Sequence, residues 1–166
     1  MANKPISLLL LLLTVTDTAT AAWSTIEAGD INLIVVAVNK NSQGQTTEVF
    51  LGTGQTVYLR LSLGTGFETF GITSCPTFQI DSRLPLHHFD VGERCIINKK
   101  VATFELGKIS DDEIESLVLH RLMNGNNVAF RYTINSGQYR RAQFNLDRSK
   151  QALTRVIGAD THIVVP

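Results

Sequence analysis

The sequence predicts an α+β domain that is mainly β: a curved antiparallel sheet or β-sandwich with two helices. Three observations predict this class. Short stretches of alternating apolar and polar residues recur between turns rich in glycine and asparagine. Helical spacing occurs in only two segments, one good helix at about 110–124 and a short C-terminal one at about 149–157. With 43% hydrophobic and 18% charged residues, the composition is that of a folded domain.

The first 21 residues have the pattern of a cleaved signal peptide. Lys4 precedes the apolar run Ile6–Val15, and Ala19-Thr20-Ala21 fits the small-residue rule for cleavage. The run is shorter than the about 20 apolar residues that a membrane-spanning helix needs. We therefore expect cleavage after Ala21 or Ala22, and one β-rich domain over residues 22–166 that is periplasmic or secreted. The formal net charge of zero gives no electrostatic reason to expect nucleic acid or an anionic membrane as partner.

The N-terminal half reads as a series of strands. The β-branched run Ile31–Val38 predicts a central strand buried on both faces, and Thr46–Leu51 predicts the next strand. In Gln55–Leu63 strict alternation predicts a half-buried strand, whose inward residues are Val57, Leu59, Leu61 and Leu63. Further strands are expected at residues 77–80 and 95–106, the latter broken near Lys99. The repeated LGTG tetrapeptides that end two of these strands are turns, since neither has the glycine spacing of a phosphate-binding loop.

The good helix is expected to begin with a capping box formed by Ser110 and Glu113 and to end at Gly125. The short helix is expected to end at Gly158, and the tail THIVVP is expected to add an edge strand.

Between the helices the alternation predicts a hairpin. Its inward sets are Val128, Phe130, Tyr132 and Ile134 on one strand, and Ala142, Phe144 and Leu146 on the other. Matching these sets predicts that Phe130 pairs with Phe144 and Tyr132 with Ala142. The same matching requires a loop of odd length with Gly137 at a positive φ.

Cys75 and Cys95, the only two cysteines, are expected to form a disulfide, because the predicted export places them in an oxidising compartment. The loop between them also holds His87 and His88. Adjacent residues of a strand point to opposite faces, so these two imidazoles are not expected to share a metal ion. No closed ligand spacing of the C-x-x-C or H-x-x-x-H kind occurs, and we predict no metal and no cofactor.

The sequence contains no coherent catalytic constellation, and no catalytic residue is predicted. A G-x-S-x-G nucleophile motif is absent, and oxidised cysteines cannot serve as thiolate nucleophiles. Two carboxylates that meet in space for glycoside cleavage stay an open alternative.

Two surfaces are candidate binding sites. Arg131 and Arg141 are expected to share the outward face of the hairpin beside Tyr139, and arginine and tyrosine often anchor interfaces. Such a basic patch also suits an anionic glycan, while a solvated sheet face is the alternative without a partner. The second candidate is the disulfide-closed loop, whose expected contact residues are Leu84, Leu86, His87 and His88.

The C-terminal half resembles the invasion-associated locus B family of small exported bacterial proteins. The resemblance consists of the pattern L-x-x-L-x-x-G followed by a strand. A second strand that ends in Phe-x-Leu and a short helix that contains Ala-Leu come next. The residues that carry it are Leu119, Leu122, Gly125, Phe130, Phe144, Leu146, Ala152 and Leu153. The resemblance covers residues 75–158 and implies a periplasmic or surface β-rich accessory protein linked to host interaction or envelope function, with no catalytic positions to carry over.

The predicted function is that of an exported, non-enzymatic accessory protein that binds a protein or an envelope component, with a link to host-cell invasion implied by the resemblance. One alternative is a binding inhibitor of a secreted hydrolase, which inserts the segment around Leu84. Another is a metal-dependent hydrolase that uses the histidine loop.

Overall fold

A computed structural model describes residues 22–28, 34–71, 75–87 and 94–166 of the chain. The predicted signal peptide and His88 therefore lie outside the described residues. The described strands are β1 Ser24–Ala28, β2 Ile34–Lys40, β3 Thr46–Leu51, β4 Thr56–Ser62, β5 Thr77–Ile80, β6 Cys95–Asn98, β7 Val101–Lys108, β8 Glu113–Glu115, β9 Asn127–Thr133, β10 Tyr139–Asn145 and β11 His162–Val164. The helices are α1 Leu117–Asn124 and α2 Ser149–Ile157.

The strands form two main antiparallel sheets. The larger has the order β1-β2-β3-β4-β7-β6, and the smaller has the order β10-β9-β5. A third, two-stranded sheet pairs β8 with β11 in parallel. The sheets do not close into a barrel, and the α+β, mainly β class predicted from the sequence is confirmed.

Alternating side chains bring the two main sheets together. On β4 the inward side chains Val57, Leu59 and Leu61 are fully buried, as the alternation predicts. The rings of Phe104 on β7 and Phe78 on β5 meet edge to face at 5.6 Å between centroids. Phe130 on β9 contacts both rings, so an aromatic cluster joins the larger sheet to the smaller one.

Helix α2 extends this core over the N-terminal strands, where it packs on β2 and β3 and against α1. Its boundaries and its buried residues Ala152, Leu153, Val156 and Ile157 are as predicted, and Gly158 ends it at a φ of 97°. Trp23 is buried at the start of the domain. Its backbone N–H donates to the Asp147 carbonyl, and its indole N–H donates to the Asn145 carbonyl, both at 3.0 Å.

The predicted helix at 110–124 is seven residues too long at its start. Ser110 and Glu113 do not form a capping box but exchange two backbone hydrogen bonds across a tight turn, each of 2.9 Å. Asp111 and Asp112 occupy this turn at φ values of 51° and 59°, a left-handed conformation that aspartate tolerates. The helix begins at Leu117 instead, with Ser116 as its cap.

Ser116 Oγ accepts a hydrogen bond from the Leu119 backbone N–H at 3.2 Å, which is the usual role of a capping serine. Because residues 113–115 form strand β8, Ile114 reaches the core from a strand and not from the predicted helical stripe. The predicted tail strand is present as β11, beside β8.

Two further predictions were wrong, one on the burial of β2 and one on the register of the hairpin. Only one face of β2 is fully buried: Ala37 and Asn39 point inward, whereas Ile34 is exposed. In the hairpin, Phe130 pairs with Ala142, and Phe144 pairs with Val128, so the predicted register is wrong by two residues. A slip of two keeps each side chain on its predicted face, which is why the inward sets are nevertheless correct. The loop is odd in length, with Gly137 at a φ of 82°, as predicted.

Within the described ranges, none of the helices is both long and apolar enough to cross a bilayer.

Candidate binding site

The outer face of the smaller sheet carries a row of polar side chains drawn from separate parts of the chain. Thr77 on β5 lies opposite Arg131 on β9, and Arg131 lies opposite Arg141 on β10. Phe78 and Leu86 exchange two backbone hydrogen bonds, of 3.1 and 2.7 Å, so the chain after β5 folds back along that strand. This antiparallel register places His87 beside Thr77, at the end of the row.

A second row lies on the same face, two residues after Arg131 on β9 and two residues before Arg141 on β10. Tyr139 at the start of β10 is opposite Thr133 at the end of β9. The side chain of Tyr139 is 84% exposed, an unusual position for a large aromatic residue. Together the two rows place two threonine hydroxyls, an imidazole, two guanidinium groups and a phenol on one surface.

A cavity of about 660 Å³ lies against this surface. We call it the arginine cavity. It is lined by Cys75, Thr77, His87, Arg131, Tyr132, Thr133, Tyr139, Arg140 and Arg141. Its volume falls in the range usual for small-molecule sites.

Arg131 and Arg141 lack a carboxylate partner among the described residues, whose only ion pairs join Arg60 to Glu48 and Arg140 to Glu68. Arg131 Nη2 donates instead to the neutral Gln79 Oε1 at 3.2 Å, which fixes one edge of the guanidinium. Like charges directly opposite on neighbouring strands repel each other. The cavity therefore presents positive charge that the described part of the protein does not neutralise.

Arg140 differs from its two neighbours because it projects from the other face of β10, opposite Tyr132. Its guanidinium donates to Glu68 Oε1 through Nη2 at 3.0 Å and through Nε at 3.3 Å. Burial raises the pKa of the Tyr132 phenol, and Glu68 raises it further, while Arg140 acts in the opposite direction. The phenol oxygen also accepts a hydrogen bond from Gln45 Nε2 at 2.7 Å, so Tyr132 supports the cavity from the core side.

The disulfide holds one of the lining residues of the cavity in place. Cys75, which lines it, is bonded to Cys95, the first residue of β6 in the larger sheet. The predicted bond is thus present, and it joins the chain entering the smaller sheet to an edge strand of the larger one. This cross-link limits relative movement of the two sheets at the site.

Of the three predicted loop residues that the structure describes, Leu84, Leu86 and His87, only His87 lines the cavity. Leu86 is partly buried against the core, where its backbone pairs with Phe78, so it is not free to contact a partner fully. Leu84 is 84% exposed and does not line the cavity. Thr77 and Gln79 are site residues that the sequence analysis does not predict. The alternation in TFQI places both side chains on the outer face of β5, and this is the one sequence feature that could have indicated them.

Asp81, in the segment between the two cysteines, has a structural role. Its Oδ1 accepts hydrogen bonds from the backbone N–H groups of Asn126 and Asn127, each at 2.9 Å. It thereby joins the end of β5 to the start of β9. No group of three or more potential metal ligands occurs in the parts of the chain that the structure describes, while His88, Asp90 and Glu93 lie outside them.

The fold and the site define a mainly β protein of two antiparallel sheets that presents an arginine-lined cavity. Among solved structures the chain is similar to the crystal structure of invasion associated protein B from Bartonella henselae, with a TM-score of 0.54 and 15% sequence identity. The likeness covers 86% of this chain and 96% of that one, and at this identity it shows a shared fold alone. No protein-family model matches the chain, and neither does any curated protein.

Proposed function

We propose that this chain is an exported, non-enzymatic binding protein that holds a protein or an envelope component at the arginine cavity. The observation that carries the proposal is the pair of cross-strand neighbours Arg131 and Arg141, which both line the cavity and have no carboxylate partner among the described residues. Like charges at directly opposite strand positions are unfavourable, and an anionic group on a partner can bind both.

Two further observations support the proposal. The disulfide suits an oxidising compartment outside the cytosol, where such bonds persist. The fold likeness is to a protein named for invasion, and we extend that role to this chain as part of the proposal. The partner would then be a molecule of the cell envelope or of the host surface.

Charge reversal in the cavity tests the proposal. The variant Arg131→Glu/Arg141→Glu and the wild-type protein are immobilised and exposed to an envelope extract of the producing organism and to host-cell membranes. We expect the wild type to retain a component that the variant loses. Lys108→Glu/Lys150→Glu, at two exposed residues outside the cavity, makes the same change in net charge and should behave as the wild type. If the cavity variant and the wild type retain the same components in equal amounts, the arginine cavity is not the binding site.

A second candidate function, inhibition of a secreted hydrolase, is favoured by one observation. Leu84 is 84% exposed, next to the exposed Pro85, in a segment closed by the disulfide. A pre-organised apolar tip loses little entropy when it enters a cleft. Activity measurements on a panel of lysozymes and proteases test it: the wild type should inhibit one of them, and Leu84→Asp should not. The absence of inhibition across the panel counts against this function.

A further inference from the structure

The arrangement around the arginine cavity also indicates the chemical class of the ligand. We infer that the cavity takes a carboxylate-bearing sugar, whose carboxylate is held by Arg131 and Arg141 and whose ring lies against Tyr139. This inference rests on the proposed function and names the ligand of the same site.

The two arginines are cross-strand neighbours, so one planar anion can contact both. A guanidinium has five N–H donors in a flat fork that matches the two oxygens of a carboxylate. Gln79 occupies one edge of Arg131 through a bond of 3.2 Å, which leaves other donors of that fork available and reduces its rotational freedom. Arg141 lies directly across from it on the edge strand β10. One carboxylate between them can accept from both forks and neutralise the repulsion.

Tyr139 offers an aromatic ring on the same face, beside the proposed carboxylate position. Tyr139 and Arg141 are two residues apart on one strand and so on the same face, with their Cα atoms about 7 Å apart by the strand rise. This spacing is comparable with the width of one pyranose ring. The exposed phenol offers an apolar surface to the C–H face of the sugar and a hydroxyl to its polar edge. The hydroxyl of Thr77, beside Arg131, adds a neutral partner for sugar hydroxyl groups.

A sugar fits these observations better than an acidic peptide does. The site is a concave cavity of about 660 Å³, whereas standard protein partners need a broad, flatter contact area. The disulfide at Cys75 and the paired strands of the smaller sheet both hold lining residues in place, so little entropy is lost when a small rigid ligand binds.

Calorimetric titration tests the inference with probes of defined composition. The acidic probes are tetramers of galacturonic, glucuronic and mannuronic acid, and the matched neutral probes are the same tetramers with methyl-esterified carboxylates. Tetraglutamate and inorganic phosphate are the remaining probes. We expect at least one acidic tetramer to bind, and its methyl ester to bind at least tenfold more weakly. Raising the salt concentration should weaken binding of the acidic probe, because exposed charges are screened.

Variants locate the binding. Arg131→Gln/Arg141→Gln should abolish binding of the acidic tetramer, while Arg131→Lys, which keeps the charge but loses the fork, should weaken it severalfold. Tyr139→Ala should weaken the tetramer severalfold and leave any phosphate binding unchanged. Lys108→Gln/Lys150→Gln is the control and should bind as the wild type. Cooperative thermal unfolding of each variant, at a temperature no lower than needed to keep it folded during the titration, would show that the fold is retained.

Three outcomes would overturn the inference: no binding of any acidic tetramer, equal binding by the double glutamine variant, or tighter binding of tetraglutamate than of the sugars. The capture experiment with Arg131→Glu/Arg141→Glu separates this failure from that of the proposed function. If the wild type captures a partner that this variant loses, but the wild type binds no uronate, the binding role stands and the ligand class is wrong. A partner retained by that variant would remove the binding role itself.

Discussion

Arg131 lies directly opposite Arg141 in the antiparallel pair β9 and β10, so two residues of like charge are neighbours across adjacent strands. Two like charges at directly opposite positions of neighbouring strands destabilise a sheet by roughly 0.2–1 kcal/mol, and salt reduces the effect. This unfavourable placement is the kind of local cost that binding sites carry, because the ligand supplies the missing charge.

The first prediction concerns the energetic effect of this pair. Replacing one member, Arg141→Glu, turns the repulsion into an attraction and should raise the free energy of unfolding by up to about 1 kcal/mol at low salt. The same variant should lose partner binding. Urea unfolding at low and high salt measures the first effect, and Lys150→Glu provides a control for net charge. A loss of stability in Arg141→Glu would contradict the assignment of the two residues as a repelling pair.

The second prediction concerns Asp81, which joins the end of β5 to the start of β9 through its two bonds of 2.9 Å. Asp81→Ala leaves two backbone N–H groups without this acceptor, and its φ of 55° is also unfavourable for alanine. We expect a loss of about 2 kcal/mol in urea unfolding. Asp81→Asn keeps an acceptor oxygen and tolerates the left-handed conformation, so it should lose less. Equal losses in the two variants would contradict this role.

The third prediction concerns the disulfide between Cys75 and Cys95. Replacing both cysteines by serine opens a loop with a sequence separation of 20 and should lower the free energy of unfolding by about 3 kcal/mol. Because Cys75 lines the arginine cavity, ligand binding should weaken as well, even under conditions in which the variant is fully folded. Guanidinium unfolding and calorimetric titration check the two effects. Unchanged unfolding and binding would show that the cross-link neither stabilises the domain nor shapes the site.

Much of the fold follows from local patterns in the sequence. The alternation in Gln55–Leu63 and the helical spacing after Arg148 are strong periodic signals, and the structure has both elements as predicted. The start of α1 was not predictable in this way, since Asp111 and Asp112 suit a tight turn as well as a first helical turn. In the hairpin, both registers place the same side chains inward, so the hydrophobic pattern alone does not choose between them.

The candidate site illustrates what a sequence pattern leaves open. Residues from the disulfide loop and from the hairpin were predicted as two separate surfaces. The structure brings His87, Arg131, Arg141 and Tyr139 around one cavity, because β5 pairs with β9 and the chain after β5 folds back along it. That pairing joins segments about fifty residues apart in the chain and depends on the packing of Phe78 and Phe130 in the core, which no local periodicity encodes.

The fourth prediction concerns pH and Tyr132. Burial raises the pKa of its phenol above the usual value of about 10, so the folded state keeps the proton at pH values where the unfolded chain has lost it. The folded state then binds more protons than the unfolded state, and the free energy of unfolding falls as the pH rises above about 10. Below that pH both states are protonated, and Tyr132 contributes no slope. The slope in this window is at most about 1.4 kcal/mol per pH unit for one group.

Tyr132→Phe isolates this effect. The variant loses the hydrogen bond from Gln45 and should be less stable than the wild type by about 1 kcal/mol at pH 7. Because phenylalanine does not titrate, the difference between the two proteins should shrink as the pH rises above about 10. Urea unfolding from pH 7 to pH 11 measures it, and Tyr139→Phe, at an exposed phenol, is the control that should show no such convergence. A constant difference between the wild type and Tyr132→Phe across this range would mean that the phenol of Tyr132 is not held in its protonated form by the fold.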